Sequence, residues 1–405
     1  MKKLAIISPT NLPIPAIKGG AVETGIQQII DENEKKKKVH IDIFSYYDKL
    51  AEEKSKKYKE TDFYYYKENK IEEIRNFIIR SLNYIFRKLN IKFKINTRRG
   101  YAKYIQTILR KEKYEAILIK NAVDLVVPIS KATKARICLQ LHNDFLNKDI
   151  YHNRQIVNAC DRIITNSEYI KKCVLTIEEA KQTKIFINKN CLEVERFYNV
   201  TKQEKEQLMK KYNINSKNQI ILFSGRMVPQ KGIKELLYSI EKLPSDMNWK
   251  LYVIGSKWFS QNTKDAFQKE IMEISRKLGD KVEFIGFVQY NEIPIWDKVA
   301  NVIVFPSIWE EPAGRVAIEA QAAGTPLIIS DAGGIKEYVT QNSAIIVKRG
   351  QDFSENLAKE ILKVLRDSKL KENMSKAGIE NSRNYTVEHY YEEIIEEIGI
   401  GEKDE

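Results

Sequence analysis

The chain has 405 residues, 43% of them hydrophobic, a net charge of +13 and four cysteines without C-x-x-C spacing. That length predicts two cores, and the cysteine pattern excludes a zinc site or a disulfide framework and suits reduced thiols in the cytoplasm. No run approaches the about 18 apolar residues of a membrane span, and the short apolar run after Lys2 and Lys3 reads as a first strand, too brief for a signal-peptide core.

Strand-sized runs rich in Ile, Val and Tyr alternate with helix-length polar stretches through the first half: LAIIS (4–8), HIDIFS (40–45), DFYYYK (62–67), EAILIK (115–120), ICLQLH (137–142), RIITN (162–166) and IFIN (185–188). Such alternation predicts a parallel sheet covered on both faces. Most of the net charge lies in one segment of this half. Residues 70–113 hold thirteen Lys or Arg against Glu72, Glu73 and Glu112, an excess of +10.

Within that segment Ile71, Ile74, Phe77, Ile78, Leu82, Ile85 and Leu89 recur at spacings of three and four, and Arg87, Lys88, Lys92, Lys94, Arg98 and Arg99 follow. A helix here carries an apolar face beside a basic one. Two readings stand open: a surface that meets anionic lipid headgroups or a phosphate-bearing acceptor, or an ordinary helix whose apolar stripe packs inward. No helix-turn-helix, zinc or RNP-like pattern accompanies the charge, so nucleic acid is not expected as a partner.

Residues 193–219 are polar and lysine-rich and close on an Asn/Ser turn cluster, which places a domain boundary near residue 200. The second half repeats the scheme with IILFSG (220–225), KLYVIG (250–255), VEFIGF (282–287), NVIVFP (301–306), PLIIS (326–330) and AIIV (344–347). Three helical stretches follow, the last being VEHYYEEIIEEI, before an acidic tail GEKDE read as disordered. The expected organisation is α/β: doubly wound domains over residues 1–200 and 201–383, then a helix and tail over 384–405.

Ligands of parallel sheets bind outside the carboxyl ends of the strands, where loops lead into helix N-termini whose amides favour anions. After IILFS comes GRMVPQKG, placing Arg226 and Lys231 in a loop flanked by Gly225 and Gly232; two cations there suit a diphosphate. After NVIVFPS comes IWEEPAG, then the helix RVAIEAQAAG ended by Gly324. Glu311 thus precedes a helix start, Glu319 lies inside the helix, and the amides near Gly314 and Arg315 are available to phosphate oxygens. Eight residues at about 1.5 Å each separate the carboxylates by about 12 Å, the scale of a sugar joined through a diphosphate to a ribose. Taken singly, each residue has a plainer use as a dipole partner or a solvated charge; their conjunction in one domain is what points to a nucleotide sugar.

G-R-x4-K-G, followed some 80 residues later by E-P-x-G-x4-E-A-x-A-x-G-x-P, resembles the family 4 retaining glycosyltransferases. The likeness takes in KGGAVE (18–23), TNSEYIKK (165–172), NCLEVERF (190–197) and SDAGGIKEYV (330–339). It implies two facing Rossmann-like domains with a cleft between them, the GT-B architecture, and a final helix that crosses back to the first domain. It also implies roles. Arg226 and Lys231 would hold the donor diphosphate, Glu319 the ribose and Glu311 the transferred sugar, with Gly225 and the amides of Ala313, Gly314 and Arg315 assisting. Phe287 and Val288, in IGFVQ (285–289), would border the base. From the first domain Gly19 and Gly20 would let backbone approach the phosphates, and His142 would face the sugar.

The expected reaction is transfer of a hexose from a nucleotide-diphosphate sugar, UDP favoured, to a glycan or lipid-linked acceptor of the cell surface, in the cytoplasm and peripherally at the inner face of the plasma membrane. No D-x-D occurs and His40, His152 and His389 show no clustered partners in sequence, so no metal and no cofactor is expected. The chain departs from the family pattern at Asn190-Cys191-Leu192-Glu193, at Ala313 in place of phenylalanine, and at Arg315, the latter two beside the sugar pocket. Two other classes stand open: a non-catalytic subunit keeping the fold, and a glycoside hydrolase using Glu311 and Glu319, whose 12 Å estimate exceeds the about 5–9.5 Å of such pairs.

Overall fold

The computed structural model describes residues 2–9, 12–89, 97–255 and 266–402, which form two compact units: 1–189 with 387–405, and 190–386. The first unit holds a seven-stranded sheet of β1 (Lys3–Ile7), β2 (His40–Tyr46), β3 (Thr61–Tyr66), β4 (Ala116–Lys120), β5 (Arg136–Leu141), β6 (Arg162–Thr165) and β7 (Lys184–Ile187). Every pairing is parallel, in the order β3-β2-β1-β4-β5-β6-β7. Helices cover both faces, which is why the central strands are apolar without alternation; β4, AILIK, is buried at all five positions.

The second unit repeats the winding with β8 (Gln219–Ser224), β9 (Trp249–Ile254), β10 (Val282–Gly286), β11 (Val302–Phe305), β12 (Leu327–Ser330) and β13 (Ala344–Val347) in the order β10-β9-β8-β11-β12-β13. All thirteen strands fall within one residue of the runs expected from sequence. In each sheet the strand order reverses beside the unit's first strand: between β1 and β4, and between β8 and β11. Ligand crevices of open α/β sheets form at such switch points.

The division between units falls at 189/190 and 386/387 rather than near 200 and 383. The reason is packing: Leu192, Val194 and Phe197 are buried in the second unit's core, Leu192 bridges Thr386, and Asn190 donates its N–H to Tyr338 Oη at 3.0 Å. The helix Val387–Glu397 lies in the first unit against the helix Ala21–Lys36. Tyr391 Oη donates to Asn33 Oδ1 at 2.7 Å, and the buried Lys120 Nζ donates to Tyr390 Oη at 2.9 Å.

The basic segment divides between its two readings. The helix Arg99–Leu109 packs Tyr101, Ala102, Ile105 and Leu109 into the core, as an ordinary amphipathic helix does. The helix Lys70–Lys88 does the opposite: Asn76 is buried, bonded to Glu68, Glu72 accepts from Tyr66 Oη at 2.7 Å, and the apolar stripe from Ile71 to Leu89 is exposed. Inward packing of that stripe is overturned. Lys92, Lys94 and, of the tail, residues 403–405 lie outside the described residues.

Candidate functional site

Because β8 and β11 pair directly, Ile221 opposite Val302 and Leu222 opposite Ile303, the two loops singled out in the second unit leave the sheet side by side at its switch point. Gly232, at φ 71°, ends the 3₁₀ turn Pro229–Lys231 and starts the helix Ile233–Ile240; a Cβ there would fall 1.8 Å from Pro306 O, so only glycine allows the loops to touch. Ile308 N–H donates to Gln230 O at 3.0 Å, and Ser307 Oγ lies 2.8 Å from the same oxygen.

This contact joins Lys231 to Glu311. Nζ stands 2.7 Å from Oε1, with both side chains largely buried, and Nζ also sits 4.9 Å from the Phe305 ring centroid. Ser307 Oγ reaches the same Glu311 oxygen. Arg226, on the same loop as Lys231, is exposed and has no ion pair among the described residues. A Cβ at Gly225 would lie 3.6 Å from the Phe223 ring and 3.7 Å from the Phe305 ring.

Glu311 lies outside the helix, which runs only over Arg315–Ala323 with Gly314 at its N-cap. Helical rise therefore does not set the Glu311–Glu319 separation, and the 12 Å estimate loses its basis. Glu319 is buried one turn in, where Oε1 accepts from Arg315 Nε at 3.3 Å. Burial pushes the Glu319 carboxyl upward and the Arg315 charge opposes it. Beside it, the fully buried Asp297 is raised well above the carboxylate range, by burial first and by the Glu319 charge second. Arg315 also donates to Tyr290 Oη at 2.7 Å.

Of the remaining expected residues, Ala313 is part-buried against the core and Gly314 is packed so closely on Ile335 and Tyr338 that a Cβ would lie 3.0 Å from Ile335 Cγ1. Phe287, just past β10 at the sheet's edge, is 67% exposed. Val288 is buried in the core.

In the first unit Gly19 (φ 72°) and Gly20 (φ 103°) close the loop after β1, and Gly20 starts the helix Ala21–Lys36. His142 is part-buried one residue past β5; its N–H donates to Asn121 Oδ1 at 3.1 Å, and its carbonyl accepts from Asn166 Nδ2 at 3.3 Å. These residues stand at carboxyl ends of strands, β1 and β5, on either side of β4.

Four features were missed. Arg349 clamps the Glu311 loop: its guanidinium donates to Glu310 Oε1 at 2.5 Å, to Asp331 Oδ1 at 3.1 Å and to Ile308 O at 3.1 Å. Burial alone would raise the Asp331 carboxyl, but the hydrogen bonds from Arg349 hold it below the ordinary range. Gly333, at φ 51°, lies against that loop, with Gly334 N–H donating to Glu311 O at 2.6 Å. Asn121, in the left-handed region at φ 51°, positions the His142 backbone; an Asn directly after a strand was the one local signal. Finally, His40 does have clustered partners: Nε2 lies 3.0 Å from Asp62 Oδ2 and 3.4 Å from Asp42 Oδ1, because residues 42 and 62 are register partners on β2 and β3. Lys3 at 2.9 Å from Asp42 Oδ2 and a hydrogen bond from Tyr114 already balance that carboxylate. The cluster sits at the amino ends of the strands, the end opposite the loops described above.

Residues 204–381 match the family model for glycosyl transferases group 1. Spore coat protein SA of Bacillus subtilis is 25% identical over 92% of this chain and 93% of its own length. The capsular polysaccharide biosynthesis glycosyltransferase CapM of Staphylococcus aureus is 31% identical over 55% of this chain and 57% of its own. Among solved structures, Anabaena HepE in complex with UDP-glucose superposes with a TM-score of 0.72 at 17% identity, covering 98% of this chain and 99% of that one. The two parallel-sheet units thus match the GT-B glycosyltransferase fold, the architecture expected from sequence.

Proposed function

We propose that the chain is a retaining, metal-independent hexosyltransferase, a reading supported by the match of residues 204–381 to the group 1 glycosyl transferase model. It moves the sugar of a nucleotide-diphosphate donor, a UDP-sugar, to a glycan or lipid-linked acceptor in cell-surface polysaccharide or glycoconjugate synthesis, in the cytoplasm at the inner face of the plasma membrane. The observation that carries the reading is the meeting of the Arg226–Lys231 loop with Glu311 at the second unit's switch point.

In this reading the bond between the anomeric carbon and the diphosphate oxygen breaks, and negative charge develops on the leaving diphosphate. Arg226 and Lys231 stabilise that charge, with the amides of Ala313 to Arg315 at the helix start, as preorganised donors in a partly dry site do. Glu311, whose Oε1 is occupied by Lys231 and Ser307, offers Oε2 to a hydroxyl of the transferred sugar. Glu319 keeps one oxygen for the ribose while Arg315 holds the other. Phe287 presents an exposed ring and Val288 a backbone edge to the base. From the first unit, His142 takes the sugar, and Gly19 and Gly20 admit the phosphates. The acceptor hydroxyl attacks from the face of departure and its proton leaves on the diphosphate, so no protein base is assigned.

UDP as the nucleotide is supported by the UDP-glucose complex of HepE, and a surface glycan by the likeness to CapM, a glycosyltransferase of capsular polysaccharide biosynthesis. The test is the melting temperature of the purified protein, without metal, against UDP, GDP, ADP and TDP and their sugars. A ligand at about 100 times its Kd adds about 2.7 kcal/mol. The expected result is a shift with UDP and its sugars that disappears in Glu319→Ala and Arg226→Ala; no shift with any nucleotide overturns the donor site.

A further inference from the structure

We propose that the helix Lys70–Lys88 is an interfacial anchor that lies flat in the headgroup layer of an anionic bilayer, with its outward stripe among the acyl chains. The stripe is long and exposed to solvent. Ile71 is 79% exposed, Ile74 63%, Phe77 71%, Ile78 53% and Leu89 64%, with Leu82, Tyr84 and Ile85 continuing it. Helices of soluble domains turn such a face inward, and contiguous exposed apolar surface marks an interaction site. Here the inward face carries the polar Asn76 and Glu72 alongside the part-buried Ile79 and Phe86. At about 1.5 Å per residue, a 19-residue helix presents about 28 Å of stripe.

Charge selects the occupant. The helix carries Lys70, Arg75, Arg80, Arg87 and Lys88 against Glu72 and Glu73, an excess of +3, and Glu72 is turned to the Tyr66 hydroxyl. Lys70 and Lys88 bound the stripe at its two ends, from where their ammonium groups reach up to phosphates while their stems lie on the apolar surface. Lys88 Nζ sits over the Tyr84 ring at 5.0 Å, a pairing of aromatic body and cation suited to the headgroup level. A second copy of the helix would set two such cationic faces against each other. An apolar stripe supplies insertion and a basic flank supplies attraction to anionic lipid, the two signals that interfacial anchoring combines. The proposal does not depend on the donor-site reading, and its consequence for that reading is that a lipid-linked acceptor would be met at the surface where the first unit docks.

The test uses the full chain and co-sedimentation with phosphatidylcholine vesicles, with and without about 30% phosphatidylglycerol. At least about tenfold stronger binding to the anionic vesicles is expected, weakening as salt rises from about 0.1 to 0.5 M. The double variant Ile74→Glu/Ile78→Glu should lose about tenfold or more of that binding while keeping its melting temperature and its response to nucleotide. Three results overturn the proposal: wild type left in the supernatant with both vesicles, equal binding by the double variant, or a lipid-free dimer in sedimentation velocity that the double variant abolishes. The nucleotide melting shift, read on the same samples, separates failure of the anchor from failure of the donor site.

Discussion

Lys231 Nζ stands 2.7 Å from Glu311 Oε1 across eighty residues of sequence. The pair forms because β8 and β11 are neighbours in the sheet and because Gly232 lets the two following loops touch. With both side chains largely buried, removing one partner strands the other's charge. Lys231→Ala and Glu311→Ala should each lower unfolding free energy by about 3–5 kcal/mol, and the double variant by clearly less than the sum. Urea denaturation of the four proteins checks this; strict additivity would mean the pair is not coupled.

Arg226 is exposed and has no ion pair among the described residues, so its loss should cost binding and not stability. Arg226→Ala is expected to weaken UDP binding by about 10- to 100-fold in calorimetry, the scale of one charge-assisted contact, with a melting temperature unchanged without ligand. A variant that melts early would assign Arg226 to the fold.

Gly333 and Gly279 form a controlled comparison. Both have φ in the left-handed region, 51° and 60°, but a Cβ at 333 would lie 2.4 Å from Glu311 O whereas one at 279 meets nothing within 4 Å. Gly279→Ala should cost about 1 kcal/mol from the backbone alone. Gly333→Ala should cost more and also reduce sugar transfer, since the Glu310–Glu311 backbone must move aside. Equal losses of stability in the two variants would show that the close approach carries no weight.

Glu397, in the terminal helix, is pushed up to about 8 by burial, with Glu393 and Glu396 adding to the shift. A carboxyl raised on folding contributes stability that is whole below its unfolded value and is lost as pH climbs through its folded one. Stability should therefore fall between about pH 4.5 and pH 8, by on the order of a few kcal/mol. Glu397→Gln should flatten that stretch of the profile and exceed wild type above pH 8; superimposable profiles would remove Glu397 as the cause.

The strands and the loops that follow them were legible because each depends on local pattern. A strand buried on both faces must be apolar throughout, a helix must repeat at 3.6 residues, and Gly324 must stop one. Arg226, Lys231, Glu311 and Glu319 could be singled out in the same way, since each lies just past a strand or at a helix start. Arg349 could not, because nothing near it in the chain distinguishes it from a solvated loop arginine; its partners Glu310, Asp331 and Ile308 reach it only after β11, β12 and β13 have lined up. His40 was misjudged for the same reason, its carboxylate partners being set by the register of β2 on β3.

By itself the amino-acid sequence determined which segments are strands and helices, how many cores they serve, and where the charge lies, all consequences of short-range periodicity and composition. The tertiary structure alone decided strand order, and with it the meeting of Lys231 with Glu311, since pairing is a choice among many compatible neighbours that only burial of the whole sheet resolves. It also decided which way the helix Lys70–Lys88 faces. Periodicity defines an apolar stripe but not its direction, and here Asn76 and Glu72, held by Glu68 and Tyr66, turn the stripe outward.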